Sequence, residues 1–184
     1  MARLIYVPVV HSTVEMGSAA PGYKAAFIAR YGESKWVERS AEFDAIWRAI
    51  ADAIKTLGPD LKRAKLYQDS LPVCGHEKEL VHDLASQGSR NHQLLENLES
   101  EGATLVGTES PTLLLDEYKL LQSPEHTDGQ AAALLEARDR FIAGQIDATL
   151  RDDEEGILFI GALHKVTKFL PPRIKVEYLA VRGQ

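Results

Sequence analysis

The sequence predicts an α/β fold: a single compact domain over residues 1–184 with a mostly parallel central sheet of about five strands flanked by helices. Three observations predict it. Segments 4–10 and 156–161 are apolar along their whole length, as strands buried on both faces are. Segments of helical period alternate with these strand-like runs. Four runs lead straight into an ionisable residue, His11, Asp69, Glu109 and His164, and in parallel strands such ends collect along the carboxyl edge, where open α/β sheets place their ligands.

The first strand spans Leu4 to Val10. Pro8 has no N–H for the ladder, which argues for an edge position, a bulge or an early end to regular pairing. Ser12 to Glu33 carries Gly17, Pro21, Gly22 and Gly32 and reads as a long loop over the site, with a brief helical hint at Ala25 to Ala29. From Lys35 to Leu57, Trp36, Phe43, Ile46, Trp47, Ile50, Ala53, Ile54 and Leu57 recur at helical spacing until Gly58-Pro59 stops them.

Ala64 to Gln68 is a second strand, and helices follow at about His76 to Ala85 and Arg90 to Ser100, the latter capped by Ser89 and closed by Glu101-Gly102. Ala103 to Gly107 forms the third strand. Pro111 suits the first turn of a helix to about Leu121, and Asp128 is placed to cap a long helix from Gly129 to Leu150. Gly156 to Gly161 is a central strand. A short helical piece ends at Pro171-Pro172, and Ile174 to Val181 alternates as a final, partly exposed strand.

A formal net charge of −6 with no basic run gives little attraction for a phosphate backbone, so nucleic acid is not an expected partner. No stretch reaches membrane-spanning length and the first residues do not form a secretory signal, so a cytoplasmic protein with a small-molecule or peptide substrate and no membrane partner is expected. A homo-oligomer is compatible with the sequence. Cys74, the single cysteine, has no internal disulfide partner, and its neighbour His76 seldom shares triad geometry with it at such short spacing.

Histidine is both the commonest metal ligand and a general base near neutral pH. If strands one and four are neighbours, His11 and His164 face each other with Asp69, Glu109 or Glu15 nearby, an N/O set suited to a divalent transition metal such as Mn, Co or Zn with an open water position. Each residue also has an ordinary reading. A histidine after a strand can bond a nearby carbonyl, and Asp69-Ser70 and Glu109-Ser110-Pro111 can serve as turn and capping residues. His76-Glu77 is a secondary candidate, His82 and His92 read as surface residues, and His126 has no evident partner. On spacing alone, Arg138 is a solvated or locally paired helix arginine.

Arg138-Asp139-Arg140-Phe141-Ile142-Ala143, followed by a strand ending in Gly161-Ala162-Leu163-His164, resembles the Tiki/TraB superfamily of erythromycin esterase and ChaN-like proteins, in which an arginine-bearing helix precedes an apolar strand ending in G-x-x-H. The first strand of that superfamily ends in another G-x-x-H. This chain has Pro8-Val9-Val10-His11 there, so the histidine matches and the glycine does not. The resemblance implies a hydrolytic site of two strand-end histidines, an acidic residue and an arginine, metal-dependent in Tiki-like members.

The expected function is a metal-dependent hydrolase of a peptide, ester or amide bond. His11, Glu109, Arg138 and His164 would be catalytic, and His11, Asp69, Glu109 and His164 the metal ligands, with Arg138 steadying charge in the transition state. No G-x-S-x-G elbow is present. The alternative is a non-catalytic Rossmann-like module that binds a small ligand or a protein. The absence of G-x-G-x-x-G and G-x-x-x-x-G-K-[ST] argues against a nucleotide cofactor.

Overall fold

Residue parity along the strands sets the layers. In the computed structural model, which describes residues 1–9 and 20–180 (backbone alone at 20–22), β1 (Ala2–Val9) turns Ile5, Val7 and Val9 to one side and Ala2, Leu4 and Tyr6 to the other, and all six are buried. β4 (Glu155–Gly161) divides likewise, Ile157 and Phe159 against Leu158 and Ile160. With β2 (Ala64–Gln68), β3 (Thr104–Val106) and β5 (Ile174–Tyr178) these strands form one sheet in the order β3-β2-β4-β1-β5. Every pairing is parallel.

Helix α1 (Ala20–Tyr31) leads into α2 (Glu33–Leu57), which covers the first face with α3 (Glu77–Ser86) and α4 (Arg90–Ser100) through Trp47, Ile50, Ile54, Val81, Leu95 and Leu98. After α5 (Pro111–Gln122), α6 (Asp128–Thr149) covers the second face with Ile142, Ala143 and Ile146. The chain runs from β1 to β2 and β3 in one direction along the sheet and returns from β3 to β4 in the other. Right-handed crossovers then require opposite faces, so the sheet is covered on both sides.

Pro8 sits in an interior strand without breaking a ladder bond. The Tyr6 carbonyl accepts from Leu179 N–H at 2.9 Å, and β1 groups facing β5 recur every second residue, so position 8 is the next donor on that side. β5 pairs only as far as Tyr178, opposite Tyr6. Of the three outcomes expected of this proline, the early end of pairing is the one realised, on the β5 side alone.

Two other expectations are corrected. The long loop expected at Ser12 to Glu33 contains α1, because Pro21 and Gly22 fall in its first turn, where a proline needs no N–H partner; residues 12–19 lie outside the described residues. Phe27 of α1 packs edge-on against Trp36 of α2 with ring centroids 5.6 Å apart. The cap of α6 is Thr127 rather than Asp128: its hydroxyl accepts from Gln130 N–H while the Gln130 side chain accepts from Thr127 N–H, a reciprocal box that leaves Asp128 in the first turn. The caps expected of Ser89, Pro111 at the start of α5, and the stop at Gly58 all form, Gly58 taking a left-handed φ of 60°.

Among the described residues no helix is long and apolar enough to cross a membrane.

Candidate functional site

Three of the four strand-end residues stand along the carboxyl edge as expected, and His11 lies outside the described residues. Asp69 directly follows β2, and its own N–H bonds the Phe159 carbonyl of β4 at 3.0 Å, so the neighbouring strand fixes its backbone. One carboxylate oxygen accepts from Gly161 N–H at 2.7 Å and the other from the Gln68 side-chain amide at 2.8 Å. Gln68 is held in turn by the Asn91 amide of α4 at 2.9 Å. These bonds compensate for burying the Asp69 carboxylate, which is 2% exposed.

His164 is reached through a turn closed by its N–H on the Gly161 carbonyl at 3.1 Å. Its Nδ1 lies 2.6 Å from Asp139 Oδ1 on α6, and the other Asp139 oxygen accepts from Lys165 N–H at 2.8 Å. An ionised carboxylate only accepts, so the ring proton facing it is assigned to Nδ1. Nε2 is turned toward Asp69 Oδ2 at 3.9 Å, beyond direct hydrogen-bond reach. The Tyr6 phenol stands behind this turn, 3.5 Å from the His164 carbonyl oxygen. Burial, helped by the nearby Tyr178, Asp139 and Asp69, pushes that phenol up to about 12, so it keeps its proton across the neutral range.

Glu109 and Arg138 meet, though on the far side of Asp69. Arg138 Nε donates to Glu109 at 3.1 Å and a terminal nitrogen donates to the other oxygen, a bidentate pair between side chains that are 5% and 0% exposed. The remaining terminal nitrogen reaches Glu117 of α5. Burial on its own lowers the guanidinium pKa, but Glu109 and Glu117 outweigh it and the net direction is up. Glu109 also accepts from Ser70 N–H at 3.2 Å and so ties the Asp69-Ser70 turn to the loop after β3. The expectation of a solvated or locally paired Arg138 is therefore corrected: its partners come from other elements.

Consecutive positions on α6 thus hold the two halves of the edge, Arg138 toward the end of β3 and Asp139 toward the end of β4. Both are buried at helical spacing from Ile142, Ala143 and Ile146. Sequence reasoning missed Asp139 as a functional residue. The available signal was two adjacent charges on the apolar stripe of a helix, where charge is rare unless paired.

His92 is also corrected, from a surface residue to one 5% exposed. Its Nδ1 lies 2.7 Å from the Ser89 hydroxyl, and with Asp69 it lines a cleft of about 320 Å³ between the β2 loop and helices α3 to α5. His82 is exposed, as expected, on Glu96 at 2.8 Å. His76 and Cys74 are exposed, the His76 ring lies 3.9 Å from Glu79, and the backbone N–H of Cys74 donates to Glu77. The His126 ring meets the Ser123 carbonyl oxygen.

No family model, curated protein or solved structure matches this chain.

Among the described residues no group of three or more His, Cys, Asp or Glu side chains is placed to hold a metal ion. Of the expected ligands, His164 and Asp69 approach each other, while both Glu109 oxygens are taken by Arg138. Two donors do not make a divalent site, so the described residues alone do not fit one.

Proposed function

We propose that the protein is a hydrolase of a peptide, ester or amide bond, with His164 as its acid–base group. The observation that supports this reading is the buried row Asp139, His164, Asp69. The Asp139 carboxylate holds the Nδ1 proton and the ring orientation, which leaves the Nε2 lone pair directed at the carboxyl edge. The 3.9 Å gap to Asp69 is of the size that a water or a substrate atom bridges.

In this reading Nε2 takes a proton from the attacking water as its oxygen bonds to the acyl carbon. The imidazolium, stabilised by Asp139, returns the proton to the leaving oxygen or nitrogen as the acyl bond breaks. The Arg138–Glu109 pair supports the site from behind by holding the turn that carries Asp69, and the motif likeness to the Tiki/TraB superfamily points to the same reaction class.

A second reading, a small-ligand-binding module without catalysis, is favoured by the cleft beside Asp69, whose lining includes four leucines and a proline. One experiment separates the two. The protein is assayed against a panel of chromogenic acyl esters, anilides and short peptides after chelation, and again with added Mn, Co or Zn, alongside elemental analysis of metal content. Hydrolysis that is lost in His164→Ala supports the enzyme, and its dependence on added ion reports whether the reaction uses a metal. Ligand uptake without turnover under any condition supports the module.

A further inference from the structure

The cleft beside Asp69 is built, Asp69 itself apart, from residues that the proposed chemistry does not use. Leu80 and Leu84 stand one turn apart on α3, on a face separate from the Val81 and Ala85 positions that enter the core. Leu114 of α5 closes the opposite side, and Leu71 and Pro72 form the wall nearest the sheet. Gln68, Asp69, Ser70 and His92 supply its polar lining. Asp69 is thus the residue that the cleft and the reactive row share.

The walls are fixed before any ligand arrives. The Leu71 carbonyl accepts from both Thr108 and Glu109 N–H groups at 2.9 Å, and Val73 N–H donates to the Glu109 carbonyl at 2.9 Å. Pro72 and Glu109 pair as a parallel bridge. Binding to such a site spends little on ordering the loop. The volume is about 320 Å³, near the lower end for ligand pockets and equal to the liquid volume of roughly ten waters. It accommodates a compact group of about ten heavy atoms and not a long chain.

We infer that this cleft is the acyl pocket of the site: the substrate carries, next to the bond that is cleaved, an uncharged apolar group of up to about eight carbons. This rests on the hydrolase reading for the position of the bond, which lies at the Asp69 end. The carboxylate there disfavours an anionic ligand and accepts from the N–H of a neutral amide. A straight acyl chain and a leucine or phenylalanine side chain offer the same chemistry to these walls.

The test is a titration of the full chain, labelled at leucine methyls, with neutral amides from acetamide to octanamide, followed by NMR. The Leu71, Leu84 and Leu114 methyls are expected to shift. Affinity is expected to rise roughly fourfold per added methylene, until the slot fills. Hexanoate is expected to bind at least tenfold more weakly than hexanamide. N-acetyl amides of glycine, leucine and phenylalanine form the second arm; a preference for leucine or phenylalanine over octanamide assigns the pocket to a side chain.

Leu114→Trp, at a partly exposed position, is expected to abolish the chain-length trend while leaving the circular dichroism spectrum unchanged, and Leu84→Phe checks the same space from α3. Affinity independent of chain length, or shifts at leucines outside the cleft, overturns the inference. The two readings fail separately. Chain-length-dependent binding with no hydrolysis of the matching aryl esters removes the enzyme and keeps the pocket, and hydrolysis with no chain-length trend removes the pocket alone.

Discussion

Asp139 Oδ1 lies 2.6 Å from Nδ1 of His164, with the two side chains 3% and 6% exposed. A contact this short between a carboxylate and an imidazole, sealed from solvent, controls which ring nitrogen carries the proton. Removing the charge at position 139 should therefore cost activity with little change of shape. Asp139→Asn is expected to lower kcat/KM by about 10²- to 10⁴-fold, by analogy with the effect of misorienting a catalytic histidine. Steady-state kinetics on the best substrate of the panel, with circular dichroism as the control, checks it.

The Arg138–Glu109 pair makes a prediction about stability. Arg138→Met leaves the Glu109 carboxylate buried without its cation and is expected to cost about 3–5 kcal/mol, because an isolated interior charge loses far more than the pair gained. Adding Glu109→Gln should recover most of that loss. Urea unfolding of wild type, single variant and double variant measures both steps.

Gly107 carries a steric prediction. A Cβ there would lie 2.8 Å from Val73 Cα and 3.1 Å from the Pro72 carbonyl oxygen, both main-chain atoms held by the bonds that fix the Leu71 to Val73 loop. Gly107→Ala is expected to destabilise by about 1–3 kcal/mol as an overpacked site. It should also disturb the leucine methyls of the cleft, which an NMR spectrum of the variant reads directly.

The pH prediction comes from Tyr6. Its phenol is raised from the ordinary value of 10 to about 12, first by burial and then by nearby negative charge, so the folded state keeps a proton that the unfolded chain releases. The stability tied to this proton is fully present below pH 10 and is lost as pH rises from about 10 to about 12. Tyr6→Phe should flatten part of that alkaline decline, the rest belonging to other phenols such as Tyr67, which burial also raises. Tm against pH for both proteins checks it.

Much of the fold could be read from the chain because its helices and strands have unmixed patterns. The apolar 156–161 run, the 3.6-residue period of α2 and the Ser89, Pro111 and Gly58 signals each name one local structure, and each is found. Helix α1 was hidden because Pro21 and Gly22, strong breakers inside a helix, are harmless in its first turn. At the site, position along the strands revealed Asp69, Glu109 and His164. Partnership did not, since nothing local tells that Arg138 closes on Glu109, 29 residues away, while Asp139 closes on His164, 25 residues away. His92 was misjudged for the same reason: the burial of one helix position depends on what the next strand brings against it.

The central claim is that Asp139 and His164 work as one unit in hydrolysis, and a double-variant cycle tests it most directly. kcat/KM is measured for wild type, Asp139→Asn, His164→Ala and the double variant on one substrate. The account predicts a loss of about 10²- to 10⁴-fold in His164→Ala and no further loss in the double variant, since a residue that acts through another has nothing left to orient once that partner is gone. Losses that multiply, or a His164→Ala protein as active as wild type, would contradict it.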